Sequence, residues 1–119
     1  MNLPIRPRRN RKNAALRALV RETILSPSNF ILPLFVMEGK NEKSAIRSMP
    51  GVFRVSRDLV VAEAKRARKL GIPAVALFPV IADRKKDKRA TESKNRDGLL
   101  QKTIRDLKNA VPEIAVITI

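Results

Sequence analysis

The feature that most constrains this chain is a strand-and-helix unit that recurs at a fixed spacing. Leu70–Val80 reads LGIPAVALFPV, Phe30–Gly39 reads FILPLFVMEG, and a third apolar run closes the chain at Ile114–Ile119. Their centres, near Phe35, Leu77 and Ile117, lie about forty residues apart, the size of one strand, helix and return. A βαβαβ order with buried, non-alternating strands implies a parallel α/β sheet, here the opening strands of a parallel barrel. Eight such units need roughly 250 residues, and this chain has 119. The expectation is therefore an incomplete (β/α)₈ TIM barrel. Three strands alone would leave both edges and much of one face open.

Residues 1–12 (MNLPIRPRRNRK) hold two prolines and five basic residues, with too little apolar content for a core. They read as an extended arm that orders only on another surface. Asn13 caps a short helix with Leu16, Leu19, Val20 and Ile24 along one face, ended by Ser26-Pro27. The division expected is an arm with a short helix over 1–29, then three strands and two helices over 30–119. Pro33, inside the first apolar run, implies a strand start, an edge or a bulge. Met49-Pro50-Gly51-Val52 suits a type II turn. Ser56 caps the first long helix, whose buried stripe is Val60, Ala64, Ala67 and Leu70, with Gly71 closing it in the left-handed region. The second helix starts after Asn95 or Asp97, carries Leu100, Ile104, Leu107 and Val111 on one face, and ends before Pro112.

Charge and composition narrow the chemistry. The 26 Lys+Arg against 11 Asp+Glu give +15, enough to attract nucleic acid or an anionic membrane by field alone. Trp and Tyr are absent and Phe numbers four, so base-stacking platforms are lacking. With no Cys and no His, a disulfide, a Cys/His zinc site, a Ser-His triad and an imidazole base are excluded within this chain. No segment approaches the apolar length of a membrane span. Arg8-Arg9 is followed by Arg17 and Arg21 rather than an apolar core, so an export signal does not follow. A cytoplasmic protein with no membrane contact is expected.

Three features are candidates for function. Ile81–Arg96 (IADRKKDKRATESKNR) carries seven basic and three acidic residues and follows a strand. In a barrel such loops lie on the catalytic face, so it can form a phosphate- or carboxylate-binding lid. A solvated surface loop is the favoured alternative. Glu38, closing the first strand, has the position of a base or metal ligand, though one carboxylate without a second ligand more simply makes a structural hydrogen bond. Lys85, Lys86 and Lys88 are conceivable Schiff-base nucleophiles, but that role needs a desolvated amine, and lysines among other cations stay hydrated. Together with the cluster Arg6–Lys12, the loop also supports an alternative: a small basic nucleic-acid-binding protein.

Six words occur in one order: RPRRNR at Arg6–Arg11, FILPLFVMEG at Phe30–Gly39, SMPGVFRVS at Ser48–Ser56, LGIPAVALFPV at Leu70–Val80, NRDGL at Asn95–Leu99 and IRDLK at Ile104–Lys108. In that order they resemble the amino-terminal portion of the 5-aminolevulinate dehydratase (porphobilinogen synthase) family. The resemblance implies a (β/α)₈ barrel whose arm wraps a neighbouring subunit, usually in a homo-octamer. It also implies the condensation of two 5-aminolevulinate molecules into porphobilinogen, the monopyrrole precursor of haem and other tetrapyrroles. Two lysines form Schiff bases with the substrates, and zinc or magnesium assists according to subfamily. No position here matches the family's catalytic, substrate-binding or metal-binding residues, so the expected catalytic, cofactor and metal residues are none and the isolated chain is expected to be inactive. Lys94 and Arg96 depart from the aromatic residue and proline common before Asp-Gly. Ile119 stands where most members have Asp, a change that, with the end of the chain there, fits a frameshift, an early stop or a cropped gene model.

Overall fold

The computed structural model describes residue 4 and residues 8–118. The first residues of the expected arm, apart from Pro4, and Ile119 therefore lie outside the described residues, as does part of the Arg6–Lys12 cluster. Eight main elements follow in chain order: α1 (Ala14–Leu19), β1 (Ile31–Met37), β2 (Lys43–Ala45), β3 (Phe53–Ser56), α2 (Arg57–Lys69), β4 (Ala74–Pro79), α3 (Leu99–Ala110) and β5 (Ala115–Thr118).

The five strands form one sheet in the order β2-β3-β1-β4-β5. β1, β3, β4 and β5 run parallel, and β2 pairs antiparallel with β3. The α/β parallel arrangement is as expected, but the described sheet has five strands rather than three. β2 and β3 are too short and too polar to announce themselves: Lys43-Ser44-Ala45 and Phe53-Arg54-Val55-Ser56 hold no run long enough to establish a period. Pro33 is accommodated by local asymmetry. β4 pairs with Ile31 through Val36, whereas β3 reaches only Phe35–Met37. At Pro33 one flank of β1 has no partner strand, so no ladder is interrupted there.

Parallel register sorts the side chains onto two faces. Leu34, Val36, Val55, Val75 and Leu77 are buried beneath α2 and α3, where they meet Val60, Ala64, Ala67, Leu99, Leu107 and Val111. Among the described residues the opposite face of the sheet is less covered. The residues alternating with that core set include Ile31, Phe35, Phe78 and Ile117, and Ile31 and Ile117 are exposed. Phe35 and Phe78, register partners, stack with ring centroids 5.4 Å apart. The core therefore lies on one side of the sheet.

Local details follow the sequence closely at the turns. Val52 N–H donates to Met49 C=O at 3.0 Å, with Gly51 at φ +82°. Gly71 ends α2 at φ +85°. Leu70, expected in the buried stripe, is instead the exposed C-cap, because the helix stops before that turn can face the sheet. Leu107 and Val111 are buried as expected, but toward the start of α3 the packed positions are Leu99 and Thr103, one residue back from the expected Leu100 and Ile104, which are half-buried. Thr103 enters the core by donating its hydroxyl to the Leu99 carbonyl at 2.7 Å, so a residue that reads as polar carries no unmet hydrogen bond.

The amino-terminal portion stands apart from this core. Asn13 caps α1, its Oδ1 accepting from Leu16 N–H at 2.9 Å. α1 ends at Leu19 rather than continuing to Ser26, and Ser26-Pro27 instead opens a 3₁₀ turn closed by Asn29. No residue from 8 to 30 is buried, and Leu19, Ile24 and Leu25 are all strongly exposed. The radius of gyration, 20.7 Å, exceeds the roughly 13–14 Å of a compact chain this long.

Ala90 takes φ +50° without being glycine. A left-handed alanine costs about 1–2 kcal/mol, and glycine gives back part of that through its freer unfolded state. Ala90→Gly is expected to stabilise by about 0.5–1 kcal/mol, read as a higher urea midpoint. An unchanged or lower midpoint would show that the loop relieves the strain by other means.

Candidate functional site

The carboxyl ends of β1, β3 and β4 meet at one edge of the sheet, which carries most of the chain's polar geometry. β1 gives way to Glu38 and Gly39, the latter at φ +126°, a conformation suited to glycine. β3 passes directly into α2 at Ser56. β4 leads through Val80, whose N–H reaches the Val36 carbonyl at 2.8 Å, into the basic loop.

That loop is not freely solvated. Lys85 Nζ donates to Glu38 Oε1 at 2.6 Å and lies 3.9 Å from Glu92 Oε1. The hydrogen bond from Lys85, reinforced by its charge, holds the Glu38 carboxyl below its ordinary range. The same bond raises the Lys85 ammonium above its own. An amine held protonated is the opposite of a Schiff-base nucleophile. Lys86 pairs with Asp83 at 2.7 Å, and that bond lowers the Asp83 carboxyl. Lys88 has no ion pair among the described residues. Asp87 accepts from the N–H groups of Arg89 and Thr91, both at 3.0 Å, and bonding to Thr91 lowers its carboxyl. The Gln101 amide of α3 donates to the Ser93 carbonyl at 2.8 Å. Arg105 donates to the Arg96 carbonyl at 2.8 Å.

Two adjoining hollows result. One, about 300 Å³, lies under the loop with Pro79, Ile81, Leu99 and Leu100 in its walls. The other, about 260 Å³, opens beside it between Glu38, Arg57, Lys85, Asp97 and Lys102. Arg57 is shared with Asp106 at 3.4 Å, while Lys102 has no ion pair among the described residues. This edge can receive an anion and hold a loop over it. Among the described residues no three of His, Cys, Asp and Glu stand together as a metal site. The zinc or magnesium expected from the resemblance finds no donor set among the described residues.

A second network was hidden in the sequence. Ser56 takes the position of an N-cap, but its buried hydroxyl donates to Asp58 Oδ1 at 2.6 Å and accepts from Glu42 N–H at 3.0 Å. Asp58 also receives Asn41 N–H, at 3.0 and 3.2 Å to its two oxygens. The Ser56 bond, with help from Asn41, lowers the Asp58 carboxyl. Arg57, Asp97 and Lys102 were likewise not singled out. The nearest sequence signals were the acid two places after Ser56 and the Asp-Gly turn before α3.

Comparison with known proteins bears on all of these residues. The sequence model of delta-aminolevulinic acid dehydratase matches residues 4–118. A delta-aminolevulinic acid dehydratase of Chlamydia pneumoniae is 47% identical over 118 residues, covering 99% of this chain and 36% of the relative. One from Bradyrhizobium diazoefficiens is 44% identical over 117 residues, covering 98% of this chain and 33% of the relative. A chloroplastic one from Selaginella martensii is 46% identical over 119 residues, covering 99% and 28%. The crystal structure of the Toxoplasma gondii ME49 enzyme, solved with its reaction product porphobilinogen, superposes with a TM-score of 0.89 at 44% identity, covering 98% of this chain and 33% of that one. The chain thus spans about a third of the length of the relatives it matches.

Proposed function

Because this chain belongs to the delta-aminolevulinic acid dehydratase family, we propose that it supplies the amino-terminal arm and first βα units of a porphobilinogen synthase. Such an enzyme condenses two 5-aminolevulinate molecules into porphobilinogen for tetrapyrrole synthesis. The observation that carries this reading is the superposition on the Toxoplasma enzyme across 98% of the chain. In the proposal, residues 1–29 form the arm and residues 30–119 the barrel portion. The carboxyl edge of the sheet then falls on the catalytic face of the barrel. The two Schiff-base lysines, and the zinc or magnesium, belong to parts of the full-length architecture that this chain does not match.

The arm is proposed to order against a second subunit in a homo-oligomer, a reading supported by the exposed Leu19, Val20, Ile24 and Leu25. No helix among the described residues is long and apolar enough to cross a membrane. A cytoplasmic location is part of the same proposal. The plant relatives are chloroplastic, and cell fractionation distinguishes the two.

A chimera tests the reading. Residues 1–118 replace the matching segment of the Chlamydia pneumoniae relative, and the product is assayed with 5-aminolevulinate. Porphobilinogen formation within about tenfold of the parent is expected, since the exchange preserves the scaffold while the reacting groups come from the relative. The 119-residue chain alone is expected to form none. A folded chimera without activity, or activity in the chain alone, would sink the respective half of the proposal.

A further inference from the structure

Among the seven basic residues of the 81–96 loop, Lys85 alone joins carboxylates from both sides. Its side chain is two-thirds covered, with Glu38 at 2.6 Å and Glu92 at 3.9 Å. Glu38 sits just past β1, forty-seven residues back in the chain, and Glu92 lies in the returning arm of the same loop. Glu92 depends on this neighbour. Its Oε2 accepts from Asn95 Nδ2 at 3.1 Å, but its Oε1 is buried without a hydrogen-bond partner. The cation that reaches this oxygen is the Lys85 ammonium, 3.9 Å away. The returning arm is also pinned to α3 by Gln101 and Ser93. The loop is thus fixed at its far end by α3 and at its near end by Lys85, with the apolar hollow of about 300 Å³ beneath.

We propose that Lys85 is a positioning residue that latches the loop to the carboxyl end of β1 and holds it closed over this hollow. The latch is a property of the chain by itself. Its value to substrate binding rests on the function proposed above, in which this edge is the catalytic face. Five of the loop's cations, Arg84, Lys88, Arg89, Lys94 and Arg96, are left without a loop carboxylate. A closed loop keeps their repulsion from peeling it away.

Limited trypsin digestion of the full chain tests the latch. Glu38→Gln removes one partner while leaving every cleavage site in the loop intact. Cleavage after Arg84, Lys86 and Lys88 is expected to be roughly fivefold faster than in the parent, as for loss of a partly exposed pair. Glu113→Gln makes the same change in net charge away from the loop and is expected to leave the rate unchanged. Circular dichroism checks that helix content is equal in all three. Equal cleavage of Glu38→Gln and parent would overturn the latch.

Its role toward substrate is read in the chimera. Lys85→Met is expected to raise KM for 5-aminolevulinate several-fold with kcat within about twofold, as for lost uniform binding. Lys85→Arg is expected to restore KM. An unchanged KM in Lys85→Met would overturn the substrate role. A chimera inactive before any substitution counts against the family reading, while trypsin still decides the latch.

Discussion

Replacing Leu77 by alanine is expected to destabilise the chain by about 2–5 kcal/mol. Leu77 is fully buried at the middle of β4. Its backbone lies between Leu34 of β1 and Thr118 of β5, so ladders on both flanks fix the strand. A cavity made there cannot close by moving the strand, and α2 and α3 would have to sink onto the sheet instead. Both helices are held by other buried contacts, Val60, Ala64 and Ala67 on one and Leu99 and Leu107 on the other. Most of the cavity should therefore persist. Leu70→Ala, at the exposed end of α2, is the matched control and should stay within about 0.5 kcal/mol. Urea unfolding of the chain and both variants gives the comparison. Similar midpoints for the two alanines would show that β4 is not the packing centre.

The second large effect is expected at Ser56. Ser56→Ala should cost about 1–3 kcal/mol, more than an exposed cap, because it strands a partner. The hydroxyl is the acceptor for Glu42 N–H and a donor to Asp58. Without it, that amide loses its partner at a part-buried position and Asp58 keeps only its backbone donors. A pH profile separates this from simple loss of packing. The Asp58 carboxyl is lowered in the folded state. Its contribution is therefore present above the usual carboxylate value near pH 4 and lost as pH falls through the depressed one. Ser56→Ala should flatten that acid limb as well as lower the plateau. A lower plateau with an unchanged limb would mean that the backbone donors, Asn41 among them, hold Asp58 without Ser56. Hydrogen exchange at the Glu42 amide gives an independent reading, with faster exchange expected in the variant.

The two sites show what local pattern can and cannot reveal. Long apolar runs bounded by turn residues gave β1, β4 and β5, and helical spacing gave α2 and α3. Gly51 and Gly71 marked left-handed backbone because only glycine takes it readily. What failed was short or non-local. β2 and β3 have three and four residues, at most two periods of the strand template, and exist because each is paired in the sheet. The carboxyl half of the α3 stripe, Leu107 and Val111, is buried as expected, but its first half shifts by one position to Leu99 and Thr103, because Thr103 reads as polar until its helix-carbonyl bond is known. Ser56 was found at its place but not in its role, since its partner Glu42 lies fourteen residues upstream. The Lys85–Glu38 pair spans forty-seven residues, a separation over which charge pattern carries no signal. In a run of cations every lysine looks alike, and only the fold chooses one.

The one-sided core has a consequence for synthesis. In the relatives, the portion resembled here leaves the ribosome before the rest of the barrel. Its helix-covered face can pack at once, because α2, α3 and their strands are contiguous in the chain. The face carrying Ile31, Phe35, Phe78 and Ile117 has no helix over it among the described residues. At translation speeds of about 5–20 residues per second it waits seconds or longer for later strands. During that interval the nascent chain presents two aromatic rings, exposed isoleucines and the outer edge of β5 to solvent, which is the kind of surface that chaperones hold. The strong positive charge on the rest of the segment offers a second safeguard, since like-charged nascent chains repel one another while that face is open.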